Sequence, residues 1–365
     1  MGALAAPTRR RLLLLGFPLW AAGALGPALT CAAQPTVRVL LMEPAGAVRV
    51  EGSAGSVTIA PAPQGLRVDA RDVGDVWRIE GDDLRAGDRF RVRGALEVRR
   101  TPQGLWVVNE VALEDYVVGT LGREIYSHWS PEALKAQAVV TRTYALLQRA
   151  RHARRSFHLR AGTAHQVYGG LAAETPATAS AVAATRGEYL AYRGEPIEAV
   201  FHSASGGRTA SAEEVWGRPV PYLVSVEVEG EEDSPDTYWR AAVAAPKLGR
   251  ALAPLGIRVG PVRELRVVER SRSGRARRVE VNGPDGSATL EARDLRTALG
   301  ATVIRSTLFE IRPDGDGFVF VGSGHGHGVG MSQWGAQAMA QAGASYRDIL
   351  DAFYPGTSLV EGGAP

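Results

Sequence analysis

Short runs of alternating hydrophobic and polar residues dominate the chain from residue 36 to about residue 110. The clearest of them, separated by turns rich in Gly, Pro and Asp, cover residues 37–41, 47–50, 56–59 and 90–93. A period of two places hydrophobic side chains on one face of an extended strand. The pattern therefore predicts a β-rich N-terminal region over residues 36–110.

A different pattern begins after Ser130 and predicts a long helix. Pro131 suits the first helical turn, Glu132 complements the helix dipole, and hydrophobic residues recur on two neighbouring faces as far as about Arg149. A helix that is hydrophobic over so much of its circumference is expected to be buried. Two further helices are predicted near the C-terminus, one over residues 332–343 and one that begins after Ser345.

Residues 235–305 have the pattern of an α/β insertion. A helix is predicted at about residues 246–252, and strands are predicted at residues 264–268 and 278–281. Residues 271–275 are polar and are interpreted as the solvated tip of a hairpin. Together these patterns predict an α+β fold, with a mixed β-core that carries a buried helix, an N-terminal β-rich subdomain and an α/β insertion.

The first 33 residues have the features of an export signal. Arginines at positions 9–11 precede a hydrophobic stretch over residues 12–29, and small residues at 30–33 offer a cleavage site. The arginines also resemble a twin-arginine signal. An uncleaved N-terminal membrane anchor is the alternative, so the chain is expected in the periplasm or cell envelope.

Removal of this signal changes what the composition implies. The formal net charge of +3 equals the three signal arginines, so the mature chain has no net charge and nucleic-acid binding is not expected. Cys31 is the only cysteine and would be lost as well. The active-site chemistry is therefore expected to use carboxylates, His, Ser, Tyr or Lys.

Glu124 is the candidate general acid. It lies between residues 116–118, whose pattern predicts a strand, and the start of the long helix. Ile125, Tyr126 and Trp129 could supply a hydrophobic wall, which would disfavour the charged carboxylate and raise its pKa. The residues by themselves leave open that Glu124 is a surface residue or pairs with a helix.

Glycine and histidine alternate over residues 322–330. His325 and His327 are two positions apart, so on an extended strand they would share a face and could bind zinc together with His202. Alternatively, the glycines allow a close backbone approach and the histidines only form hydrogen bonds. The glycine spacing does not match a dinucleotide-binding loop.

Residues 201–209 form a third segment of interest. Small hydroxyl residues beside Gly206 and Gly207 suit a loop that contacts a polar ligand, although an ordinary polar hairpin loop has the same composition. His202 and Ser203 are adjacent and would point to opposite sides of a strand. They are therefore not expected to form a nucleophile pair.

In combination, these segments resemble the stage II sporulation protein D (SpoIID/LytB) family. The matching residues are EDYVVG at 114–119, Glu124, WSPEALKAQAV at 129–139, RTY at 142–144, HSASGG at 202–207, GHGVGMSQWGA at 326–336 and residues 346–356. The resemblance covers residues 36–358. It implies a catalytic domain over residues 111–358 with the insertion at about 235–305.

The resemblance also implies an activity. It indicates an exported lytic transglycosylase that cleaves between N-acetylmuramic acid and N-acetylglucosamine in peptidoglycan glycan strands, preferably strands stripped of peptide. The family's catalytic glutamate falls on Glu124. Because the sugar's own C6 hydroxyl attacks and forms a 1,6-anhydro ring, one acid/base can suffice where ordinary glycosidases need two carboxylates.

The same hypothesis assigns roles to other residues. The residues expected to line the glycan groove are His202, Ser203, Gly207, His327, Gln333 and Trp334. The residues expected to support the Glu124 segment are Lys135, Gln137 and Arg142. Some family members bind zinc through a histidine and two cysteines, but the mature chain has no cysteine, so neither a metal nor another cofactor is predicted.

Two other functions stay open at this point. The first is a non-catalytic enhancer of a cell-wall amidase, a role associated with the LytB branch of the family, which would make an amidase a partner besides the glycan strands. The second is a zinc-dependent peptidoglycan amidase or endopeptidase that uses His202, His325 and His327.

Overall fold

The computed structural model describes residues 1–2 and 34–361. The body of the predicted export signal, residues 3–33, lies outside the described residues, as does Cys31. Among the helices within the described ranges, none is both long and hydrophobic enough to cross a membrane.

A nine-stranded sheet contains the N-terminal part of the described chain. Its strands are β1 (Thr36–Ala45), β2 (Val48–Gly52), β3 (Gly55–Ala62), β4 (Gly65–Val68), β5 (Arg71–Val73), β6 (Val76–Ala86), β7 (Phe90–Thr101), β8 (Gly104–Ala112) and β9 (Leu159–Arg160). They lie in the order β5-β4-β3-β2-β6-β7-β8-β1-β9. Neighbours are antiparallel except for β1 and β9, which are parallel. The four predicted runs fall in β1, β2, β3 and β7 and are confirmed.

Two helices follow the sheet, α1 (Leu113–Glu124) and α2 (Pro131–Arg151). The long predicted helix is confirmed as α2, most of which is buried. The strand predicted at residues 116–118 is wrong, because these residues lie inside α1. Glu114 and Asp115 stand in the first turn of α1, where negative charge favours the helix.

The sheet and both helices share one hydrophobic core. Val39, Leu96 and Val107 of the sheet belong to the same buried cluster as Tyr116 of α1 and Leu134 of α2. All five side chains are almost completely removed from water. This packing fixes α1 on the sheet and therefore fixes Glu124, the last residue of the helix.

A connecting segment comes next. It contains α3 (Pro176–Ala184), β10 (Tyr189–Tyr192), β11 (Glu195–Pro196), β12 (Phe201–His202) and α4 (Ala212–Trp216). β12 is only two residues long, yet it contains His202 and leads directly into the HSASGG motif. The strand thereby sets the position of that motif.

The predicted α/β insertion has a hydrophobic core of its own. Its elements are β13 (Trp239–Ala244), α5 (Ala245–Leu252), β14 (Glu264–Arg270), β15 (Ala276–Gly283), β16 (Gly286–Glu291), α6 (Ala292–Leu299), β17 (Phe309–Asp314) and β18 (Gly317–Gly322). They form the sheets β13-β18-β17 and β14-β15-β16. The helix and the two strands predicted here are confirmed as α5, β14 and β15.

The C-terminal elements return to the motifs. They are β19 (Met331–Ser332), α7 (Gln333–Gln341), α8 (Tyr346–Phe353) and β20 (Ser358–Val360). β19 runs parallel to β12 and pairs His202 with Ser332. This pairing joins the HSASGG motif to the start of α7, and the two predicted C-terminal helices are confirmed. The elements together form an α+β fold, as predicted.

Candidate functional site

Glu124 lies in a cleft with a volume of about 550 Å³. The cleft is formed by residues 163–167, residues 199–203 and the Gly/His stretch. Of the residues predicted to act in the site, five line this cleft: Glu124, His202, Ser203, His327 and Gln333. Three segments far apart in the sequence therefore meet around one glutamate.

The carboxyl group of Glu124 is half-buried at the C-terminal end of α1. Burial raises its pKa above the ordinary glutamate value, and a hydrogen bond from the backbone N–H of Val167 to Oε1 partly opposes that rise. Among the described residues that line the cleft, Glu124 is the only one with an acidic side chain. A carboxyl group in this environment can hold a proton at a higher pH than a surface glutamate.

Gln333 braces the glutamate segment from the start of α7. Its Nε2 donates a hydrogen bond of 2.7 Å to the backbone oxygen of Glu124 and one of 3.2 Å to Oε1 of Gln137. Gln137 in turn donates to Oγ1 of Thr141 at 3.4 Å. Both hydrogens of the Gln333 amide are thus used inside the protein, and Gln333 links Gln137 to the Glu124 segment.

Arg142 and Lys135, also predicted as supports, lie in different environments. The fully buried Arg142 donates to both carboxylate oxygens of Glu114, at 2.8 and 2.7 Å, and so ties α2 to the first turn of α1. Lys135 instead donates to Glu132 at 2.7 Å and lies over the ring of Tyr346 in α8. Its contacts are with α8, whereas those of Arg142 hold the helix that ends in Glu124.

His202 offers one unused nitrogen at the cleft. Its Nδ1 lies 3.1 Å from the backbone oxygen of Val329, and because a carbonyl can only accept, Nδ1 carries the proton. Nε2 is buried with no hydrogen-bond partner among the described residues. Burial, together with the nearby His327 and Arg275, lowers the pKa of His202 well below its ordinary value. The ring is therefore neutral, and its buried Nε2 keeps an unused lone pair.

His327 has both ring nitrogens engaged. Its Nδ1 accepts from the backbone N–H of Val329 at 3.1 Å, and the ring also has a hydrogen bond with the backbone of Phe201. Burial and the charges of Arg275 and Arg296 lower its pKa to about 4. The ring therefore acts as a neutral link between the two motif loops.

The Gly/His stretch is not an extended strand, so the expectation that His325 and His327 share a face is wrong. Gly324, Gly326 and Gly328 all have positive φ, which breaks the strand alternation. His325 turns toward Asp236, with Nδ1 3.1 Å from Oδ2. No group of three or more His, Cys, Asp or Glu side chains among the described residues is arranged to hold a metal ion.

Gly207 and Trp334, two predicted groove residues, lie beside the cleft and do not line it. The backbone N–H of Trp334 donates to the Ser203 oxygen at 3.0 Å. Its ring packs edge-on against Trp129, with centroids 4.7 Å apart, and near the exposed Tyr126. These rings form an aromatic surface next to the segment that carries Glu124.

Glu231, which the sequence analysis did not identify, fixes the HSASGG loop. Its buried carboxylate accepts hydrogen bonds from five donors: the Ser205 N–H at 2.9 Å, the Ser205 hydroxyl at 2.7 Å, the Gly206 N–H at 2.8 Å, the Gly207 N–H at 3.1 Å and the Ser332 hydroxyl. One side chain therefore holds both the loop and the start of α7. Glu231 lies in a plain acidic run, EGEEDS, and its sequence context gives no signal of this role.

The hairpin tip at residues 271–275 is docked on the site, so its interpretation as a solvated tip is wrong. Arg275 is 2% exposed, and its Nη2 donates to the Ser205 oxygen at 2.7 Å. The backbone N–H of Ser273 donates to Glu214 at 3.0 Å. The insertion thus contributes directly to the walls around the motifs.

Comparisons with known proteins agree with these motifs. Residues 101–192 match the family model described as stage II sporulation protein (SpoIID), and residues 223–330 match a domain of unknown function, DUF8618. The first match contains Glu124, and the second contains Glu231, Arg275 and the whole Gly/His stretch.

Curated relatives extend the likeness beyond these ranges. Stage II sporulation protein D of Bacillus subtilis is 31% identical over 309 residues, which is 78% of this chain and 87% of that protein. An uncharacterized protein of Brachyspira hyodysenteriae is 36% identical over 258 residues, or 70% of this chain and 68% of the other. The amidase enhancer of Bacillus subtilis is 31% identical over 286 residues, which is 66% of this chain but 40% of that longer protein.

Proposed function

Because the chain belongs to the stage II sporulation protein D family, we propose that it is an exported peptidoglycan lytic transglycosylase in which Glu124 is the general acid and base. Family membership supports a role in the cell wall. The proposed substrate is the bond between N-acetylmuramic acid and N-acetylglucosamine in a glycan strand that lies along the cleft. The proposed location is the periplasm or cell envelope.

The observation that carries the proposal is the environment of Glu124. Its pKa is raised by burial, and it is the only acidic side chain among the described residues that line the cleft. An inverting or retaining glycosidase would need a second carboxyl group within about 5 to 10 Å. A single protonated carboxyl group instead fits a reaction in which the substrate supplies its own nucleophile.

The proposed reaction returns Glu124 to its starting state. The carboxyl group donates its proton to the glycosidic oxygen as the bond from that oxygen to C1 of N-acetylmuramic acid breaks. The resulting carboxylate then takes the proton of the C6 hydroxyl as O6 bonds to C1, which closes the 1,6-anhydro ring. Ser203 and His202, which line the cleft, would help to hold the sugar ring in place for this attack.

Mass analysis of the products from purified peptide-free glycan tests the proposal. The wild-type protein is expected to release fragments that end in 1,6-anhydro-N-acetylmuramic acid, and Glu124→Gln is expected to release none. Glu132→Gln is a matched control on the adjacent helix, since Glu132 binds Lys135 outside the cleft. Reducing ends from the wild type, or equal activity of Glu124→Gln, would contradict the proposal.

A second function is supported by one of the relatives. The amidase enhancer of Bacillus subtilis matches 66% of this chain, so a non-catalytic chain that stimulates a cell-wall amidase is the alternative. Stimulation of a purified amidase by both the wild type and Glu124→Gln, with no cleavage by either protein alone, would favour this function. Cleavage by the wild type alone favours the enzyme.

A further inference from the structure

Arg296, on helix α6 of the insertion, reaches the cleft that holds Glu124. Among the described residues that line this cleft, Arg296 is the only lysine or arginine, as Glu124 is the only acid. Arg296 is not among the groups that shift the pKa of Glu124. Its position in the cleft therefore needs an explanation other than pairing with that carboxyl group.

The contacts of Arg296 hold it in place without neutralising it. Nε donates to the backbone oxygen of Ile304 at 2.9 Å, and Nη2 donates to that of Arg305 at 3.1 Å. Within the described part of the chain, no carboxylate lies within 4 Å of the guanidinium and Nη1 has no hydrogen-bond partner. The protein therefore fixes the orientation of the group and leaves its charge and one donor nitrogen available.

A second arginine, Arg275, shares a neighbouring cavity with Arg296. Arg275 lines a smaller cavity together with Arg296, Gly326 and His327, and the last three of these residues also line the cleft. Nε and Nη1 of Arg275 are buried with no hydrogen-bond partner among the described residues. Glu231 and Glu214 nevertheless raise the pKa of Arg275 against the larger effect of burial, whereas burial alone shifts the pKa of Arg296 and no carboxylate opposes it. The positive charge presented to the cleft is therefore that of Arg296.

Two acidic residues, Glu214 and Glu291, line the smaller cavity, but neither pairs with Arg296. Both carboxylate oxygens of Glu214 are in use, one by the N–H of Ser211 and the other by the N–H of Ser273. Glu291 lines the smaller cavity and not the cleft. An anion would therefore reach Arg296 from the cleft side, where Glu124 is the only carboxylate among the described lining residues.

We propose that Arg296 forms a carboxylate-binding subsite in the Glu124 cleft. This inference rests on the proposed function, because the carboxylate that binds the subsite is taken to belong to the glycan strand. A muramyl residue without peptide ends its lactyl group in a free carboxylate, whereas a peptide-bearing residue has an amide there and carries its carboxylates on the stem. The planar guanidinium of arginine suits either carboxylate.

Binding measurements test the subsite without depending on cleavage. The full chain carrying Glu124→Gln is titrated by calorimetry with three glycans of matched length: strands with free lactyl carboxylates, the same strands after conversion of those groups to methylamides, and strands with intact stems. We expect roughly 10- to 100-fold tighter binding of the free carboxylate form than of the methylamide, as for one or two charge-assisted hydrogen bonds.

Variants then assign the preference to Arg296. Adding Arg296→Gln is expected to weaken binding of the free carboxylate form alone, so that the two forms bind almost equally. Arg296→Lys keeps the charge and is expected to retain part of the preference for the free carboxylate form. Arg250→Gln removes an exposed charge from α5 of the same insertion and should leave the preference unchanged. Thermal unfolding confirms that each variant is folded, since Arg296 also holds two backbone carbonyls.

The outcomes separate the two proposals. Strands with stems that bind tightly through Arg296 would assign the subsite to a stem carboxylate. No preference in the parent protein, or a preference that survives Arg296→Gln, would overturn the subsite even if the wild type cleaves glycan. Conversely, a preference that depends on Arg296 in a chain without cleavage activity would support the subsite and contradict the proposed enzyme.

Discussion

The side-chain amide of Gln333 donates a hydrogen bond of 2.7 Å to the backbone carbonyl of Glu124. Glu124 ends helix α1, where backbone carbonyls lack partners within the helix. Gln333 begins helix α7 and also binds Gln137 in α2. This one amide therefore joins three helices at the position of the proposed catalytic acid.

Gln333→Ala should reduce catalysis more than substrate binding. Without the amide, the end of α1 loses its brace, and a shift of about 1 Å in a catalytic group can cost on the order of 100-fold in rate. We expect kcat for glycan cleavage to fall roughly 10- to 100-fold with a smaller change in KM. Gln341→Ala, on the exposed end of the same helix, is the control. A change confined to KM would show that Gln333 acts by contacting the glycan.

Glu231→Ala should both destabilise the protein and reduce activity. The substitution removes the acceptor of three backbone N–H groups and two hydroxyl groups, of which only the Gly207 N–H keeps another acceptor, Oγ of Ser205. Unsatisfied buried groups cost about 1–3 kcal/mol each, although such costs do not add fully. We expect a loss of at least about 3 kcal/mol in the free energy of unfolding, measured by chemical denaturation. Glu232→Ala removes the neighbouring exposed carboxylate and should change stability little; equal effects would contradict the role of Glu231.

The elements that the sequence predicted well are those with strong local periodicity. The strands of the N-terminal sheet and helix α2 bury a continuous face or most of their circumference, so the hydrophobic pattern alone identifies them. The meeting of Glu124 with the HSASGG and Gly/His segments was also anticipated, but it came from the family resemblance. No local pattern in the chain indicates that contact.

The wrong predictions share a physical cause. Tyr116, Val117 and Val118 have strand-like propensity, but α1 packs against α2, where Arg142 binds Glu114. The hydroxyl of Tyr116 also donates to Gln166, which lies outside both helices. The roles of Glu231 and Arg275 likewise depend on partners 24 to 101 residues away. Such contacts leave no periodic signal in a single sequence.

Acid should destabilise the protein through its buried neutral histidines. The pKa of His327 is about 4 in the folded protein, below its ordinary value of 6.5, so its contribution to stability is complete above about pH 6.5 and is lost as the pH falls toward 4. His327→Asn keeps an acceptor for the Val329 N–H and should reduce this loss by about 3 kcal/mol, measured by urea denaturation across that range. His128→Asn, at an exposed site, should leave the slope as in wild type. An unchanged slope in His327→Asn would contradict the assignment.

Glu124 should show the opposite dependence. Burial raises its pKa in the folded protein, so the carboxyl group favours folding in its protonated form, and this contribution is lost as the pH rises through the raised value. Glu124→Gln mimics the protonated group and keeps an acceptor for the Val167 N–H. The variant should therefore match the wild type in stability at about pH 4 and exceed it at pH 8, while its cleavage activity is absent throughout. The wild type should in turn lose activity above the same raised pKa, because the acid is then deprotonated. The measurement is thermal unfolding of both proteins across this pH range. If the two proteins differ in stability by the same amount at pH 4 and at pH 8, Glu124 is not held in a buried environment. The proposed chemistry requires that burial.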